Sequence, residues 1–195
     1  MIKRAFDVVA AFIGLVVLMP LFLLLALWIK LDSKGPVFFH QERVGYKGKP
    51  FNLIKFRSMY VHADKQGMLT IGEDARITAS GKFIRKYKLD ELPQLINVVK
   101  GDMSLVGPRP EVAKYVALYT DAQRKVLDVK PGITDPASIS YIDENKLLGN
   151  SADPESTYIR EVMPAKLNIN LSYINKRNFL TDIGVILKTI RKLVR

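Results

Sequence analysis

A stretch without any charged residue near the start of the chain limits how this protein can fold. Residues 8–29 form a run of 22 almost wholly apolar residues. At a rise of about 1.5 Å per residue, a helix of that length would reach roughly 33 Å, close to the thickness of the hydrocarbon core of a bilayer. We therefore expect a membrane segment in residues 1–30 and a compact domain in residues 31–195.

A proline near the middle of this run predicts a bend in the membrane helix. Pro20 removes one helical hydrogen bond and clashes with the preceding turn. Basic residues flank the run on both sides, which draws both ends of the segment to the cytoplasm. A cleaved signal peptide is disfavoured, because its apolar core is normally about 7 to 15 residues long. A kinked spanning anchor and a re-entrant hairpin both remain open.

Charge and cysteine content restrict the function of the remaining chain. Thirty Lys and Arg against nineteen Asp and Glu give a formal charge of +11, which favours anionic partners such as phospholipid, nucleic acid or a nucleotide-linked substrate. The sequence has no cysteine, so disulfides, thiolate catalysis and Cys-ligated metal sites are excluded.

The pattern after residue 30 predicts an α+β fold that is mostly helical. Two short strands, residues 37–39 and 51–56, are separated by glycines and a proline and predict a small β-hairpin. Residues 63–80 resemble a long polar loop. Helical patterns follow in three segments, residues 81–87, 91–99 and 111–129, the last with apolar residues spaced for one face.

The last segment predicts a basic amphipathic helix. Residues 179–195 place apolar side chains broadly on one side and Lys and Arg side chains elsewhere. Such a helix can lie in the headgroup layer of an anionic membrane. The alternative is a helix that packs on the protein core with a solvated basic face, and both interpretations stay open.

Two adjacent carboxylates are the first candidates for chemistry. Asp90 and Glu91 precede Pro93, which a helix tolerates in its first turn, so we expect a helix to begin near Asp90. An aspartate in this position is commonly an N-cap. The functional alternative is that the two side chains converge, one as a nucleophile and one as a ligand of a hard cation.

A proline-flanked arginine is the second candidate. In the sequence GPRP at residues 107–110, Gly107 permits close backbone approach, and the prolines Pro108 and Pro110 fix Arg109. A guanidinium fixed in this way suits bidentate binding of phosphate, although a pair with Glu111 or another carboxylate is equally consistent. Further basic candidates are Lys55, Arg57 and Arg85. The two histidines are isolated, so carboxylate-bound magnesium fits better than a His-ligated metal.

Together these motifs resemble a known family over nearly the whole chain. The sequence resembles the small monotopic phosphoglycosyl transferases, a bacterial sugar transferase family that begins surface glycan and glycoprotein glycan assembly. The resemblance rests on Lys3, Arg4 and Asp7, SKGPVF at 33–38, QERVG at 41–45, KFRSM at 55–59, DELPQ at 90–94, GPRP at 107–110 and KPGIT at 130–134.

The resemblance implies a covalent transfer of a sugar phosphate. By this analogy Asp90 attacks the sugar-bearing phosphate of a UDP-sugar, UMP leaves, and undecaprenyl phosphate accepts the phosphosugar. Glu91 would bind Mg²⁺, while Arg109, Arg85, Lys55 and Arg57 would hold phosphates. The enzyme would act at the cytoplasmic face of the bacterial inner membrane, in contact with anionic phospholipid and without a nucleic-acid partner. A homodimer is one open option.

Two segments depart from the family pattern. The break of the membrane helix usually reads Ser-Pro, whereas this chain has Met19-Pro20. Residues 134–139 read TDPASI, where many members carry a Gly-Trp-type stretch, so the identity of the sugar stays open. The rival function is a membrane-tethered basic protein that binds lipid or nucleic acid without catalysis.

Overall fold

A computed structural model describes residues 2–63 and 74–193 of the chain. The helices within these residues are α1 Ile2–Val17, α2 Met19–Asp32, α3 Ala79–Lys86, α4 Gln94–Lys100, α5 Ala113–Val116, α6 Asp121–Arg124, α7 Pro136–Ser140, α8 Glu144–Gly149, α9 Pro154–Thr157, α10 Met163–Lys176 and α11 Phe179–Leu193. The strands are β1 Phe38–Val44, β2 Pro50–Phe56, β3 Ser104–Val106 and β4 Gly132–Thr134. The prediction of a mostly helical α+β fold with a small hairpin is confirmed.

The apolar run folds into two helices that meet at a sharp bend. α1 and α2 are inclined by 61° at Leu18, and Pro20 lies in the first turn of α2. A proline is tolerated there because the first N–H groups of a helix have no partner within that helix. Among the described residues no single helix is long and apolar enough to cross a bilayer, and α1 and α2 reach that standard only as a bent pair.

Large apolar side chains of this helix pair remain exposed. The inner side of the pair packs on the rest of the protein, with Ala11, Leu25 and Ile29 buried. The outer side exposes more than half of the surface of several side chains, namely Val9, Phe12, Ile13, Val16, Val17, Met19, Leu23, Leu24 and Leu27. A contiguous apolar patch of this kind marks a surface that contacts a partner or a membrane.

The antiparallel hairpin β1–β2 supports the helix pair. Its register pairs Phe38 with Phe56 and Val44 with Pro50. Leu53 packs in a buried cluster with Ala11 of α1, and Phe56 packs in another with Ile29 of α2. The predicted second strand is therefore correct to within one residue, whereas the first strand extends further along the chain than predicted.

The segment 111–129 is not the continuous helix that its apolar spacing predicts. It forms α5, α6 and a 3-10 turn at Lys125–Asp128. The interruption has a local cause, a capping box that begins a new helix at α6. The Thr120 side chain accepts a hydrogen bond from the backbone N–H of Gln123, and the Gln123 side chain accepts one from the backbone N–H of Thr120. The predicted apolar face is nevertheless buried in one core cluster at Val112, Tyr115, Val116 and Tyr119, whereas Leu118 is exposed.

The short parallel pair β3–β4 brings two glycines into backbone contact. A Cβ on Gly107 would lie 2.4 Å from the carbonyl oxygen of Lys130, and a Cβ on Gly132 would lie 2.1 Å from the nitrogen of Gly107. Both positions therefore require glycine. The close approach that Gly107 permits is to the protein's own backbone, and it fixes the start of the loop that carries Arg109.

Helix α11 combines a buried side with exposed apolar residues. Asp182 and Val185 are buried, and Lys3 of α1 forms an ion pair with Asp182 at 2.5 Å. Leu180, Leu187 and Ile190 remain more than half exposed. The buried side agrees with packing on the protein core, and the location of the exposed side in a headgroup layer stays a prediction. The predicted loop at residues 63–80 falls largely outside the described residues, and its end at Ala79 begins α3.

Candidate active site

The two adjacent carboxylates lie in a tight turn ahead of α4. Leu89–Glu91 forms a 3-10 turn that follows Lys88, whose backbone is left-handed with φ 55°. α4 begins only at Gln94, and Pro93 occupies its N-cap position. Asp90 therefore does not cap the helix, and the N-cap interpretation is wrong. Neither carboxylate caps α4, so both side chains can interact with other groups.

Asp90 is buried without a hydrogen-bond partner for one of its oxygens. The residue is 7% exposed, and its Oδ1 atom contacts no donor within the described part of the chain. Burial, and then the negative charge of Glu91, raise the pKa of the Asp90 carboxyl above its usual value. The side chain is therefore held in an environment that disfavours its own charge.

Glu91 is paired with the proline-flanked arginine. Arg109 donates to both oxygens of Glu91, with Nη1 to Oε2 at 3.1 Å. Lys55 Nζ lies 3.9 Å from Glu91 Oε1. Burial alone would raise the pKa of Glu91, but the charges of Arg109 and Lys55 outweigh it and hold the pKa well below its usual range. Burial lowers the pKa of Lys55 to about 8.

The loop that presents Arg109 is held by partners that the sequence did not reveal. Arg43 of β1 donates to the carbonyl oxygen of Pro110 at 3.2 Å and to Glu111 Oε1 at 2.9 Å. The Tyr158 hydroxyl donates to the other oxygen of Glu111. Glu111 is thus bound by Arg43 and Tyr158, whereas Arg109 pairs with Glu91. The QERVG motif contains Arg43, but no sequence signal indicated Tyr158.

One large cleft collects most of the predicted residues. It has a volume of about 430 Å³ and contains Asp90, Glu91, Arg109, Lys55 and Arg85 in its lining. Its basic side chains are Arg43, Lys55, Arg85, Lys88, Arg109, Lys166 and Lys192, and its acidic ones are Asp90, Glu91, Glu111 and Glu144. The described lining therefore has more positive than negative groups, which favours an anionic ligand.

Three predicted residues lie elsewhere. Arg57 is 4% exposed, does not line the cleft and donates to the carbonyl oxygens of Pro36, Ser33 and Ile29, at 2.6, 2.8 and 3.3 Å. Its guanidinium is engaged in hydrogen bonds to carbonyl groups at and just after the end of α2, so the structure does not bring it to a phosphate site. Pro108 lines a small cavity beside the cleft, and Gly107 packs on β4.

The carboxylates suit a metal ion only together with a substrate. Among residues 2–63 and 74–193, no group of three or more His, Cys, Asp or Glu side chains could hold a metal ion. Mg²⁺, however, is usually held by one or two carboxylates, and phosphate oxygens and water complete its shell. Glu91 and the unpartnered oxygen of Asp90 fit that donor set.

A buried and a half-buried carboxylate, Asp90 and Glu91, lie side by side in a basic cleft, an arrangement suited to an anionic ligand next to a potential nucleophile. Sequence comparison gives the particular family. The model of the family described as bacterial sugar transferase matches residues 1–195, and this chain belongs to that family. The predicted family resemblance is thereby confirmed.

Several named proteins are similar to this chain over nearly its whole length. The chain is 38% identical over 193 residues to an uncharacterized sugar transferase, EpsL, of Bacillus subtilis, covering 99% of this chain and 87% of the relative. It is 38% identical over 199 residues to the UDP-N-acetylgalactosamine-undecaprenyl-phosphate N-acetylgalactosaminephosphotransferase of Aeromonas hydrophila, covering 99% of this chain and 44% of the relative. It is 36% identical over 200 residues to the UDP-glucose:undecaprenyl-phosphate glucose-1-phosphate transferase of Escherichia coli, covering 98% and 40%. The chain thus spans less than half the length of the latter two.

Proposed function

We propose that this chain transfers a sugar 1-phosphate from a UDP-sugar to undecaprenyl phosphate and releases UMP. The observation that carries the proposal is the buried Asp90 carboxylate, whose Oδ1 atom has no described partner, within a basic cleft. A buried carboxylate without a partner is costly, and such groups are retained where function uses them. The names of two family relatives specify a UDP-sugar or UDP-N-acetylsugar and undecaprenyl phosphate.

In the first step, a carboxylate oxygen of Asp90 attacks the phosphorus that carries the sugar. A new bond forms between this oxygen and phosphorus, the bond from phosphorus to the bridging oxygen of the diphosphate breaks, and UMP leaves with that oxygen. The phosphosugar remains on Asp90 as an acyl phosphate. Burial favours this reaction, since a poorly solvated carboxylate loses little hydration when it attacks.

In the second step, an oxygen of undecaprenyl phosphate attacks the same phosphorus. The bond between phosphorus and Asp90 breaks, the carboxylate is regenerated, and the lipid diphosphate sugar departs. Because UMP leaves before the acceptor reacts, the kinetics should be ping-pong. A direct transfer in a ternary complex would leave no phosphosugar on Asp90, so trapping of the intermediate separates the two mechanisms.

The basic side chains would hold the phosphates of donor and acceptor. Arg109 offers a planar guanidinium suited to two oxygens of one phosphate, and Lys55 and Arg85 add positive charge to the same cleft. In the described arrangement Arg109 is bound to Glu91. A bound diphosphate would give Arg109 a second anionic partner, and this would release Glu91 for another role.

Glu91 would hold Mg²⁺ together with oxygens of the substrate. When bound, the ion supplies neutralisation of the charge that develops on the departing UMP. The protein's own contribution is to keep Glu91 ionised, because Arg109 and Lys55 depress its pKa. Glu91 would therefore be available as a hard anionic ligand over the whole physiological pH range.

The exposed apolar surfaces support a membrane location at the cytoplasmic face. The outer sides of α1 and α2, with Val16 and Leu23, and of α11, with Leu187, present apolar residues without a cover in the described structure. The acceptor carries a long polyprenyl tail, so the enzyme must meet it at a bilayer. We propose that the bent pair enters and leaves the same leaflet and that α11 lies among anionic headgroups.

The release of UMP tests the function directly. The protein, in nanodiscs that contain anionic lipid, is incubated with a panel of UDP-sugars, with and without magnesium and undecaprenyl phosphate. We expect UMP release that depends on one donor, on magnesium and on Asp90. Absence of release with every donor, while the protein still binds vesicles, would favour the rival membrane-tethered binding protein.

A further inference from the structure

One wall of the cleft takes no part in the chemistry proposed above. Four residues of α10, spaced as i, i+3, i+4 and i+7, share one helix face and line the cleft: Met163, Lys166, Leu167 and Asn170. None of them belongs to the turn with Asp90 or to the loop with Arg109. This α10 wall is therefore free to recognise a part of the ligand that lies beyond the reacting phosphate.

Asn170 is the unusual member of the α10 wall. The residue is only 4% exposed, and its Oδ1 atom is buried with no hydrogen-bond partner. Burial of an amide without a partner costs free energy, and nearly all such groups in native proteins are paired with protein or water. The neighbouring Lys166, in contrast, is paired with Glu144 at 2.5 Å. A ligand that supplies a donor to Asn170 would satisfy the orphaned oxygen.

The surroundings of Asn170 distinguish a planar base from a sugar. Among the residues that line the same cleft, Ile139, Leu148 and Leu167 are apolar, and the charges of Lys166 and Glu144 neutralise each other. A sugar ring carries hydroxyl groups on all sides, and most of them would lose their hydrogen bonds here. A nucleobase has apolar faces and a polar edge, which matches a wall that combines apolar side chains with the buried, unpartnered carboxamide oxygen of Asn170.

We propose that the α10 wall binds the uracil ring of the donor nucleotide, with Asn170 paired to the edge of the base; this inference rests on the function proposed above. Asn170 Oδ1 accepts from the N3–H group of uracil, and Nδ2 donates to a neighbouring ring carbonyl. The apolar side chains of the wall cover the faces of the ring. Asn170 is thus a specificity-determining residue for the nucleotide, and it acts apart from the reacting atoms.

The test compares binding of UMP and ribose 5-phosphate to the protein in nanodiscs by calorimetry. Replacement Asn170→Leu keeps the same branched arrangement of side-chain heavy atoms and removes both polar atoms. We expect its dissociation constant for UMP to rise by at least about fivefold, because the N3–H group then loses its partner. The dissociation constant for ribose 5-phosphate should stay unchanged. The melting temperature without ligand should not fall, since Asn170 makes no described hydrogen bond that the leucine would lose.

A matched variant controls for changes in α10 itself. Asn168 lies on the exposed side of the same helix, so Asn168→Leu should leave both dissociation constants unchanged. A second ligand tests the proposal without any variant. UMP methylated at N3 should bind wild-type protein at least about fivefold more weakly than UMP, and this measurement decides the question if Asn170→Leu fails to fold.

Each outcome has a defined meaning. Equal UMP affinity of wild type and a folded Asn170→Leu variant overturns the inference. A raised KM for the UDP-sugar at unchanged UMP affinity also overturns it, because Asn170 would then contact the sugar. Equal binding of UMP and N3-methyl UMP overturns it as well. Failure of the proposed function is distinct, since wild-type protein would then release no UMP from any UDP-sugar.

Discussion

The carboxylates of Asp90 and Glu91 are neighbours in sequence but differ in their electrostatic environment. Glu91 has two cationic partners, Arg109 and Lys55, and its charge is stabilised. Asp90 is shielded from water next to that charge, and its pKa is raised by burial and by Glu91. The pair therefore separates into one carboxylate that stays ionised and one whose anion is held at a high free energy, as a nucleophile requires.

Substitution of Asp90 by asparagine should abolish transfer while it preserves the fold. We expect UMP release to fall by about 10³-fold or more, because the amide cannot form the acyl phosphate. The melting temperature should stay the same or rise, because the variant no longer buries a charge. The exposed Asp121→Asn substitution in α6 serves as the control and should leave both values unchanged. Near-normal turnover of Asp90→Asn would remove Asp90 from the nucleophile role.

The pH dependence of kcat/KM should report two groups of the free enzyme. Since the pKa of Asp90 is raised, activity should fall on the acid side at a pH above the usual range of an aspartate. Since the pKa of Lys55 is lowered to about 8, its positive charge is lost as the pH rises through that value, and activity should fall again. Lys55→Arg keeps its charge and should move the basic limb to higher pH. A basic limb unchanged in Lys55→Arg would assign it to another group.

At the level of secondary-structure elements, Arg57, predicted as a phosphate ligand, has a structural role. It leaves the end of β2 and donates to carbonyl oxygens at the end of α2 and in the following turn. Helix ends leave carbonyl groups without partners, and a buried guanidinium satisfies several at once. Arg57 thereby joins the bent helix pair to the hairpin.

Two arginine substitutions should distinguish the structural role of Arg57 from the proposed phosphate-binding role of Arg85. Arg57→Gln should lower the free energy of unfolding by about 2 to 4 kcal/mol, because buried carbonyl groups lose their donors, and the KM for the donor should hardly change. Arg85→Gln, in the cleft, should raise the KM several-fold at nearly unchanged stability. Denaturation and steady-state kinetics in the same detergent measure both. A raised KM for Arg57→Gln at full stability would return Arg57 to the phosphate site.

At the scale of the whole molecule, the apolar outer sides of α1, α2 and α11 are the surfaces that the proposed membrane contact would cover. Phe6 of α1 packs edge to face on Phe179 of α11 at 5.1 Å between ring centroids, so these surfaces adjoin. The bend of 61° between α1 and α2 is compatible both with a broken span and with a re-entrant loop. A bilayer that covers these surfaces from one side would place the cleft close to the headgroups.

Cysteine labelling should locate both ends of the chain on one side of the membrane. The protein has no cysteine, so Ile2→Cys and Arg191→Cys each create a unique thiol at an exposed position. In intact cells both should resist an impermeant maleimide added outside, because the proposed re-entrant pair keeps both ends in the cytoplasm. Both should react after the membrane is opened, which is the control. External labelling of Ile2→Cys alone would show that the helix spans the bilayer.

The sequence by itself determined the local features of this protein. The apolar run with Pro20 specified a bent helix pair, and the glycines and proline between the strands specified a hairpin. Resemblance singled out Asp90, Glu91 and Arg109, all of which line the cleft. These features are local because periodicity, turn chemistry and motifs depend on residues close together in the chain.

Only the tertiary structure decided which side chains meet. Arg43 pairs with Glu111 across 68 residues, Tyr158 with Glu111 across 47 and Lys3 with Asp182 across 179. The tertiary structure also showed that Arg57 binds backbone carbonyl groups near the end of α2 and does not reach a phosphate site. It placed Asn170 in the lining of the cleft. The physical reason is that a buried polar group takes whichever partner the packing of distant elements brings within hydrogen-bond reach, and no local pattern encodes that distance.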